Sequence, residues 1–206
     1  MSTTQNELSE LIAAYASSST AIISDNLARE PGAVGIRPFH HCTGAVAGRA
    51  LTVRTRAGDN ATVHKALDLI QPGDFIIVDG GGDLSRAVIG EIMAAIAKSR
   101  GAVGFVIDGA IRDVDVIAAN TFPVFAKAAI HRGPYKNGPG EINVPVSVGG
   151  MIVNPGDIVV GDGDGIVAFP VEGAKELLVA VRAQEKKEAD MLAAIANGTY
   201  TNAYAK

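Results

Sequence analysis

The sequence predicts an α/β domain in which a parallel β/α portion is followed by a second β layer. Two short apolar segments, FIIV at 75–78 and VGFVI at 103–107, flank a helical pattern, and this order predicts parallel strands joined by a right-handed crossover. From about residue 122, short apolar segments alternate with Gly and Pro, which is typical of short β-strands. No linker separates the two halves, so we interpret residues 1–206 as one domain.

Apolar residues at helical spacing predict the helices. Near the N-terminus, Leu8, Leu11 and Ile12 would share one helix face. Asn60 is predicted to cap the third helix, and Gly101 follows the end of the fourth, where a C-terminal Gly belongs. The predicted helices cover about 5–16, 20–28, 60–70, 86–99 and 171–197.

The remaining segments are predicted to be strands, loops and turns. A further strand is expected at about 45–55, and the segments PVFA, VPVSVGGMIV and DIVVGDGDGIVAFP would supply the second β layer. Segments rich in Gly, Pro, His or Asp are predicted to be loops or turns, at 31–44, 72–74, 80–83 and 108–111.

Composition restricts the class of protein. The net charge of -4 argues against a nucleic-acid binder, which is usually basic. Cys42 is the only cysteine, so neither a disulfide framework nor a CxxC metal site is expected. We find neither a signal peptide nor a long apolar span, and a cytoplasmic protein without a membrane partner is the expectation.

The first candidate site is the pair Arg112-Asp113, which follows the second apolar strand. Ligands of parallel α/β sheets collect at the carboxyl ends of strands. Arg offers a planar fork to a carboxylate, and Asp offers an oxygen ligand to Mg²⁺ or Mn²⁺. A surface ion pair or a helix-capping Asp, with Asp115 adding solvated charge, explains the same spacing.

The second candidate is the segment DGGGDLSRAVIGEIM, in which glycines could free N–H groups for an anion at a helix start. GGGD is neither GxGxxG nor a phosphate loop, so a nucleotide site is rejected, and a Gly-rich turn remains the simpler interpretation. Glu91 is more informative, because it interrupts an apolar helix and 20 residues separate it from Arg112.

The third candidate is the C-terminal helix. Glu185 and Glu188 fall in phase with its apolar stripe, which then resumes at Leu192 and Ile195. The helix could therefore deliver a carboxylate to a neighbouring subunit, or the stretch could be a solvated face with intrahelical ion pairs. The histidines have no metal-ligand spacing, and no Ser lies in a GxSxG motif.

With these residues in view, the sequence resembles the RraA-like family, which includes 4-hydroxy-4-methyl-2-oxoglutarate aldolases with oxaloacetate decarboxylase activity and regulators of ribonuclease E. The resemblance covers most of the chain, in the order FIIVDGGGDLSRAVIGEIMAAIAKSRGAVGFVIDGAIRDVD, PVFA, GPYKNGPGEINVPVSVGG, NPGDIVVGDGDGIVAFP and KKEADMLAAIANG. It implies a three-layer β/β/α fold of the swivelling-domain type, with N- and C-terminal helices, assembled as trimers or hexamers with sites between subunits.

The resemblance also implies roles for individual residues. Arg112 would hold the carboxylate of a small 2-oxo acid, and Asp113 would bind a divalent cation, Mg²⁺ or Mn²⁺. The backbone of Gly90, Glu91, Ile92 and Met93 would contribute amides to the substrate. Glu91 would act as a base or hold a metal-bound water, and Glu188 resembles a residue that some members lend from the next subunit as a metal ligand. The aldolase pattern has Asp where this chain has Glu91, and the extra methylene could alter substrate preference.

Two functions follow from the resemblance. The first is a metal-dependent lyase that cleaves 4-hydroxy-4-methyl-2-oxoglutarate or a related 4-hydroxy-2-oxo acid to pyruvate and also decarboxylates oxaloacetate. The alternative is a non-catalytic regulator that binds a ribonuclease or another protein. The presence of Arg112 and Asp113 together with an acid at position 91 favours catalysis. A methyltransferase is not favoured, because GGGD is not followed by the acidic strand end that a nucleoside cofactor would need.

Overall fold

Residues 3–29 and 32–202 are described by the structure, which is a computed structural model. Pro31, within the predicted loop, and both extremes of the predicted domain lie outside these ranges. The helices are α1 (Thr3–Tyr15), α2 (Thr20–Asn26), α3 (Ala61–Leu67), α4 (Glu91–Ser99), α5 (Val114–Ala118) and α6 (Ala174–Ala196). The strands are β1 (Arg37–Pro38), β2 (Val46–Thr55), β3 (Asp74–Ile89), β4 (Gly104–Ile111), β5 (Val124–Ala129), β6 (Gly140–Ile142), β7 (Val146–Val148), β8 (Met151–Val153), β9 (Ile158–Gly161) and β10 (Ile166–Phe169).

Four parallel strands form the centre of the main sheet, whose order is β1-β5-β4-β3-β2-β9-β10. The pairs β2/β3, β3/β4 and β4/β5 are parallel, and the strand–helix–strand pattern predicts the pairing of β3 with β4. The segments PVFA and DIVVGDGDGIVAFP, expected in the second β layer, instead form β5 and the β9–β10 pair of the main sheet, so that of the described strands only β7 and β8 make a separate sheet. Antiparallel strands flank this centre, with β1 on β5 and the β9–β10 pair on β2. The carboxyl ends of the parallel strands therefore meet at one edge of the sheet.

Both faces of the main sheet are buried, which confirms the three-layer arrangement. On β4, Phe105 and Ile107 pack against α3, α4 and α5, whereas Val106 between them packs against the β7–β8 hairpin. Successive side chains of a strand point to opposite faces, so an unbroken apolar run is expected where both faces are covered. The terminal helices α1, α2 and α6 pack on β9 and β10 in a separate apolar cluster.

The segment 80–89 corrects two predictions. Residues 80–83 are part of β3 rather than a loop, and the following helix begins at Glu91 rather than near 86. The strand accommodates its glycines through register shifts against β4, and Gly81 and Gly82 have positive φ angles of 67° and 68°. The apolar residues 87–89 end the buried strand β3, and the apolar helix α4 begins two residues later. The two apolar segments together resemble one longer helical pattern in the sequence.

Two further predictions differ in detail. Residues 108–111, predicted to be a turn, continue β4, because the extension of β3 provides the hydrogen-bonding partner. Asn60 stands at the N-cap position of α3, but its side chain does not cap the helix. The carboxylate of Asp59 accepts the N–H of Ala61 instead, at 2.8 Å.

The helices α1, α2, α3 and α6 begin and end within a few residues of their predicted limits, whereas the sequence does not predict the short helix α5. Within the described residues 32–44 of the predicted loop, the only strand is the two-residue β1. In the described part of the chain, no helix has both the length and the apolar character needed to cross a bilayer.

Candidate active site

Two adjacent strand ends bring the main candidate residues together. Arg112 and Asp113 follow directly after β4, and Gly90 and Glu91 follow directly after β3. The N–H of Arg112 donates to the carbonyl of Ile89 at 3.1 Å, which keeps the two strand ends in register. The parallel pairing thus places residues that are about twenty positions apart side by side, as ligand-binding positions of α/β sheets are.

Asp113 is held in a left-handed backbone conformation, with φ 60° and ψ 37°. Asp is one of the few residue types that tolerate this region, and such conformations cluster at functional sites. Its Oδ2 atom accepts the N–H of Glu91 at 3.0 Å, and the Nε atom of Arg112 lies 3.8 Å away from the same oxygen. The carboxylate is therefore fixed by the start of α4 and lies beside a guanidinium.

Position 90 requires glycine because a side chain would not fit there, and not because of the backbone conformation. Its φ of -152° is extended backbone that any residue adopts. A Cβ atom at this position would collide with the Asp113 carboxylate and would lie 3.0 Å from Cγ of Arg112. The absence of a side chain lets the β3–α4 junction approach the Arg-Asp pair.

Two recesses open on either side of Arg112 and Asp113. The first has a volume of about 150 Å³ and contains two further cationic or titratable groups, His64 and Lys136; we call it the basic recess. The second has a volume of about 490 Å³ and contains Glu91 and Asp115; we call it the acidic recess. The Arg-Asp pair forms the boundary between them.

The basic recess contains residues that sequence reasoning missed. Asn60 is only 4% exposed; its amide donates to the carbonyl of Val88 at 2.9 Å, while its Oδ1 atom is buried without a partner. Burial, and secondarily the charge of Lys136, lowers the pKa of His64 below its usual value. Asn60 and His64 are four residues apart at the start of α3, a spacing that places side chains on one helix face and could have indicated the pair. No sequence pattern connected Lys136 with them.

The first turn of α4 presents backbone N–H groups to this region. Gly90 is its N-cap, so the N–H groups that follow have no partner within the helix. The N–H of Glu91 donates to Asp113. Ile92, which is 72% exposed, and the mostly buried Met93 both line the basic recess. Ile92 and Met93 therefore line the same recess as Arg112, and their contact with a substrate stays a prediction.

Glu188 is not brought to Asp113 within one chain. It lies on α6, which packs on α2 and α1 on the β9–β10 side of the sheet, and its Oε1 atom accepts a hydrogen bond from Gln184 at 2.9 Å. Glu185 and Glu188 are half-buried, and beyond them Leu192 and Ile195 are 66% and 52% exposed. The two glutamates thus interrupt the apolar stripe of α6, as predicted. A metal site shared by Asp113 and Glu188 would need a second chain.

The donor set is compatible with a hydrated divalent cation. Among residues 3–29 and 32–202, no group of three or more His, Cys, Asp or Glu side chains could enclose a metal ion. Mg²⁺ does not require such a cage, because it retains several waters and commonly binds through one or two carboxylates. The hydrogen bonds among the described residues use Oδ2 of Asp113 and leave its Oδ1 atom for such a cation.

Comparisons with known proteins identify the family and agree with the fold. The model of a family described as RraA-like, Aldolase/RraA, matches residues 20–168. A protein from Halalkalibacterium halodurans named "Putative 4-hydroxy-4-methyl-2-oxoglutarate aldolase" is 43% identical over 145 residues, which cover 70% of this chain and 68% of that protein.

Solved structures share the architecture. An uncharacterised protein from Pseudomonas syringae superposes with a TM-score of 0.84 at 27% identity, covering 93% of this chain and 94% of the other. The RNA-processing inhibitor RraA from Thermus thermophilis superposes with a TM-score of 0.66 at 34% identity, covering 74% and 92% respectively. The described fold is thus shared with a protein named as a regulator, while proteins named as putative aldolases are related in sequence.

Proposed function

The chain belongs to the RraA-like family, and from this premise we propose that it is a divalent-metal-dependent lyase that releases pyruvate from a 4-hydroxy-2-oxo acid. 4-Hydroxy-4-methyl-2-oxoglutarate is the proposed substrate, with oxaloacetate decarboxylation as a second activity. The observation that carries the proposal is the meeting of Arg112, Asp113 and the start of α4 at two parallel strand ends.

The reaction requires stabilisation of negative charge. Breaking the bond between C3 and C4 of the substrate leaves the enolate of pyruvate, and a bound Mg²⁺ or Mn²⁺ would supply Lewis-acid stabilisation of that charge. Asp113 would hold the cation. Arg112 would bind the substrate carboxylate and place a fixed positive charge beside the developing enolate. The first-turn N–H groups of Ile92 and Met93 would add donors on the same side.

Proton transfer is assigned to the acidic recess. The carboxylate of Glu91 is exposed there, while its backbone N–H is bound to Asp113. We assign to Glu91, or to a water that it holds, the removal of the proton from the C4 hydroxyl during cleavage. A base at this position remains close to the bond that breaks, because the same residue anchors Asp113.

The basic recess fits the second carboxylate of the substrate. Lys136 supplies a positive charge there, and His64 can become positively charged when an anion approaches. The buried Oδ1 atom of Asn60 has no partner among the described residues and remains available as a hydrogen-bond acceptor in the same recess. A substrate with a 2-oxo acid group at one end and a carboxylate at the other would thus bridge Arg112 and Lys136.

The test measures pyruvate release from 4-hydroxy-4-methyl-2-oxoglutarate and from oxaloacetate in Mg²⁺, in Mn²⁺ and after treatment with EDTA. The expected result is activity that EDTA abolishes and added metal restores. Full activity in EDTA, or an imine trapped by borohydride, would contradict the metal mechanism.

A regulatory function is the second candidate, because the RNA-processing inhibitor RraA shares both the fold and 34% of aligned residues. Complete absence of pyruvate release with every metal, together with inhibition of a purified ribonuclease by this chain, would favour the regulator. Pyruvate release that depends on Arg112 would favour the enzyme.

A further inference from the structure

We infer that Asp59 is a positioning residue whose buried carboxylate fixes Lys136 at the basic recess; this inference rests on the function proposed above. Asp59 has no exposed surface and lies in the connection between β2 and α3, directly before Asn60. It is not part of the lining of the basic recess.

The carboxylate of Asp59 joins two segments of the chain. Its Oδ1 atom accepts the N–H of Ala61 at 2.8 Å, at the start of α3. Its Oδ2 atom accepts the N–H groups of Asn137 and Gly138 at 2.8 and 3.0 Å. One side chain therefore connects the beginning of the helix that carries His64 with the loop that carries Lys136.

Lys136 is held on both sides. On the C-terminal side, Asp59 binds Asn137 and Gly138. On the N-terminal side, the N–H of Tyr135 donates to the carbonyl of Gly58 at 2.8 Å, and the N–H of Asn60 donates to the carbonyl of Tyr135 at 3.0 Å. A lysine that is itself exposed is thereby attached to a rigid backbone beside Asn60.

The ionised state of Asp59 suits this role. Burial alone would raise its pKa, but the N–H groups of Ala61, Asn137 and Gly138, helped by the charge of Arg56, outweigh burial and hold the pKa below its ordinary value. A carboxylate accepts all three N–H groups, whereas an amide cannot, because its NH₂ group would face one of these donors.

The chain offers a matched control. Asp162 is also buried, at 8% exposure, and its carboxylate accepts the N–H and hydroxyl of Thr20 and the N–H of Asp164. It lies between β9 and β10, on the side of the sheet where α2 packs. Asp162→Ala therefore removes a buried carboxylate from a similar hydrogen-bond environment away from the basic recess.

The experiment combines amide hydrogen exchange with kinetics on the full-length protein. Asp59→Ala removes both oxygens, and it should accelerate exchange at Asn137 and Gly138 and raise the KM for 4-hydroxy-4-methyl-2-oxoglutarate about tenfold, with a smaller change in kcat. Asp162→Ala should do neither. In a Lys136→Ala background, Asp59→Ala should have little further effect on KM, because the group that it positions is gone.

The outcomes separate this inference from the proposed function. Unchanged exchange at Asn137 and Gly138, or an equal rise in KM with and without Lys136, would overturn the positioning role. If the wild-type protein has no lyase activity and Asp59→Ala still accelerates exchange at Asn137 and Gly138, the proposed function is removed, but the role of Asp59 in fixing the loop that carries Lys136 is supported.

Discussion

The guanidinium of Arg112 combines a charge with a planar set of N–H donors, and substitution can separate the two properties. Arg112→Lys keeps the charge but removes the fork that binds a carboxylate through two hydrogen bonds. We expect kcat/KM for pyruvate release to fall on the order of 10²-fold, a typical cost of losing an oriented donor to a developing oxyanion. The measurement is steady-state kinetics on both proposed substrates.

Arg100 provides the control for this substitution. It is 40% exposed, close to the 44% of Arg112, and pairs with Asp68 at 2.8 Å in a surface ion pair. Such pairs contribute roughly 0–1 kcal/mol, so Arg100→Lys should leave kinetics and stability nearly unchanged. Near-wild-type kinetics of Arg112→Lys would show that the Arg-Asp pair is only a surface ion pair.

His64 should report on anion binding through its pKa. In the free protein, burial and Lys136 hold this pKa below about 6.5. Between the folded-state pKa and about 6.5 the unfolded chain binds a proton that the folded chain does not, so this residue lowers stability as the pH falls through that window. A carboxylate bound between His64 and Lys136 would favour the imidazolium and raise the pKa.

We therefore expect 2-oxoglutarate, a stable 2-oxo dicarboxylate, to shift the midpoint of the His64 imidazole titration upward, as measured by NMR. The signal can be assigned by its loss in His64→Gln. A midpoint that is unchanged or lower when the recess is saturated would contradict the placement of the second carboxylate there.

At the scale of elements, the junction of β3 and α4 determines the geometry of the site. The extra methyl group of Gly90→Ala would force the Asp113 carboxylate and the Arg112 side chain to move. We expect a severe loss of activity, on the order of 10²-fold, because a misplacement of about 1 Å can cost that much. The stability cost should be about 1–3 kcal/mol, as for other overpacked sites.

Gly163→Ala is the comparison, because a Cβ at Gly163 would meet nothing within 4 Å. Thermal unfolding and kinetics measured on both variants separate a local effect from a general one. If Gly90→Ala retained full activity, the close approach at this junction would not matter for function.

The same junction shows how far sequence reasoning reaches. Strands β2, β3 and β4, the terminal helices and the position of Arg112 and Asp113 after β4 follow from apolar patterning, and the structure confirms them. The segment PVFA, expected in the second β layer, joins the parallel centre as β5, because an apolar run does not encode which strand it pairs with. The start of α4 was predicted about five residues early, because periodicity cannot distinguish the apolar end of a buried strand from a helix turn. The basic recess was missed for a different reason: Asn60 and Lys136 are joined by pairing between distant segments, and no local pattern encodes such pairing.

At the scale of the whole molecule, α6 leaves an apolar surface uncovered. Val181 is fully buried, but Met191, Leu192 and Ile195 further along the helix are 36%, 66% and 52% exposed. An exposed apolar helix face of this kind is a natural contact for another subunit. The half-buried Glu188 lies between the buried and the exposed part of the stripe.

We therefore predict that the active unit is an oligomer, a trimer or a pair of trimers, in which Glu188 of one subunit joins Asp113 of the next at the proposed metal. Asp113→Ala and Glu188→Ala should each be nearly inactive alone. When the two variants are mixed in equal amounts under subunit exchange, about a quarter of the interfaces of a cyclic assembly would pair an intact Asp113 with an intact Glu188. Pyruvate release should then recover to a comparable fraction of the wild-type rate, whereas two Asp113 variants mixed together should not recover.

Sedimentation of the same samples shows whether the assembly itself is intact. In the alternative interpretation, residues 185–190 form a solvated helix face. Glu188→Ala would then be fully active. A monomer that retains activity would exclude a shared site altogether. Recovery in the mixture is the stronger observation, because neither a stability effect nor a solvated helix face can make two inactive chains active together; only an interface that takes one residue from each can do so.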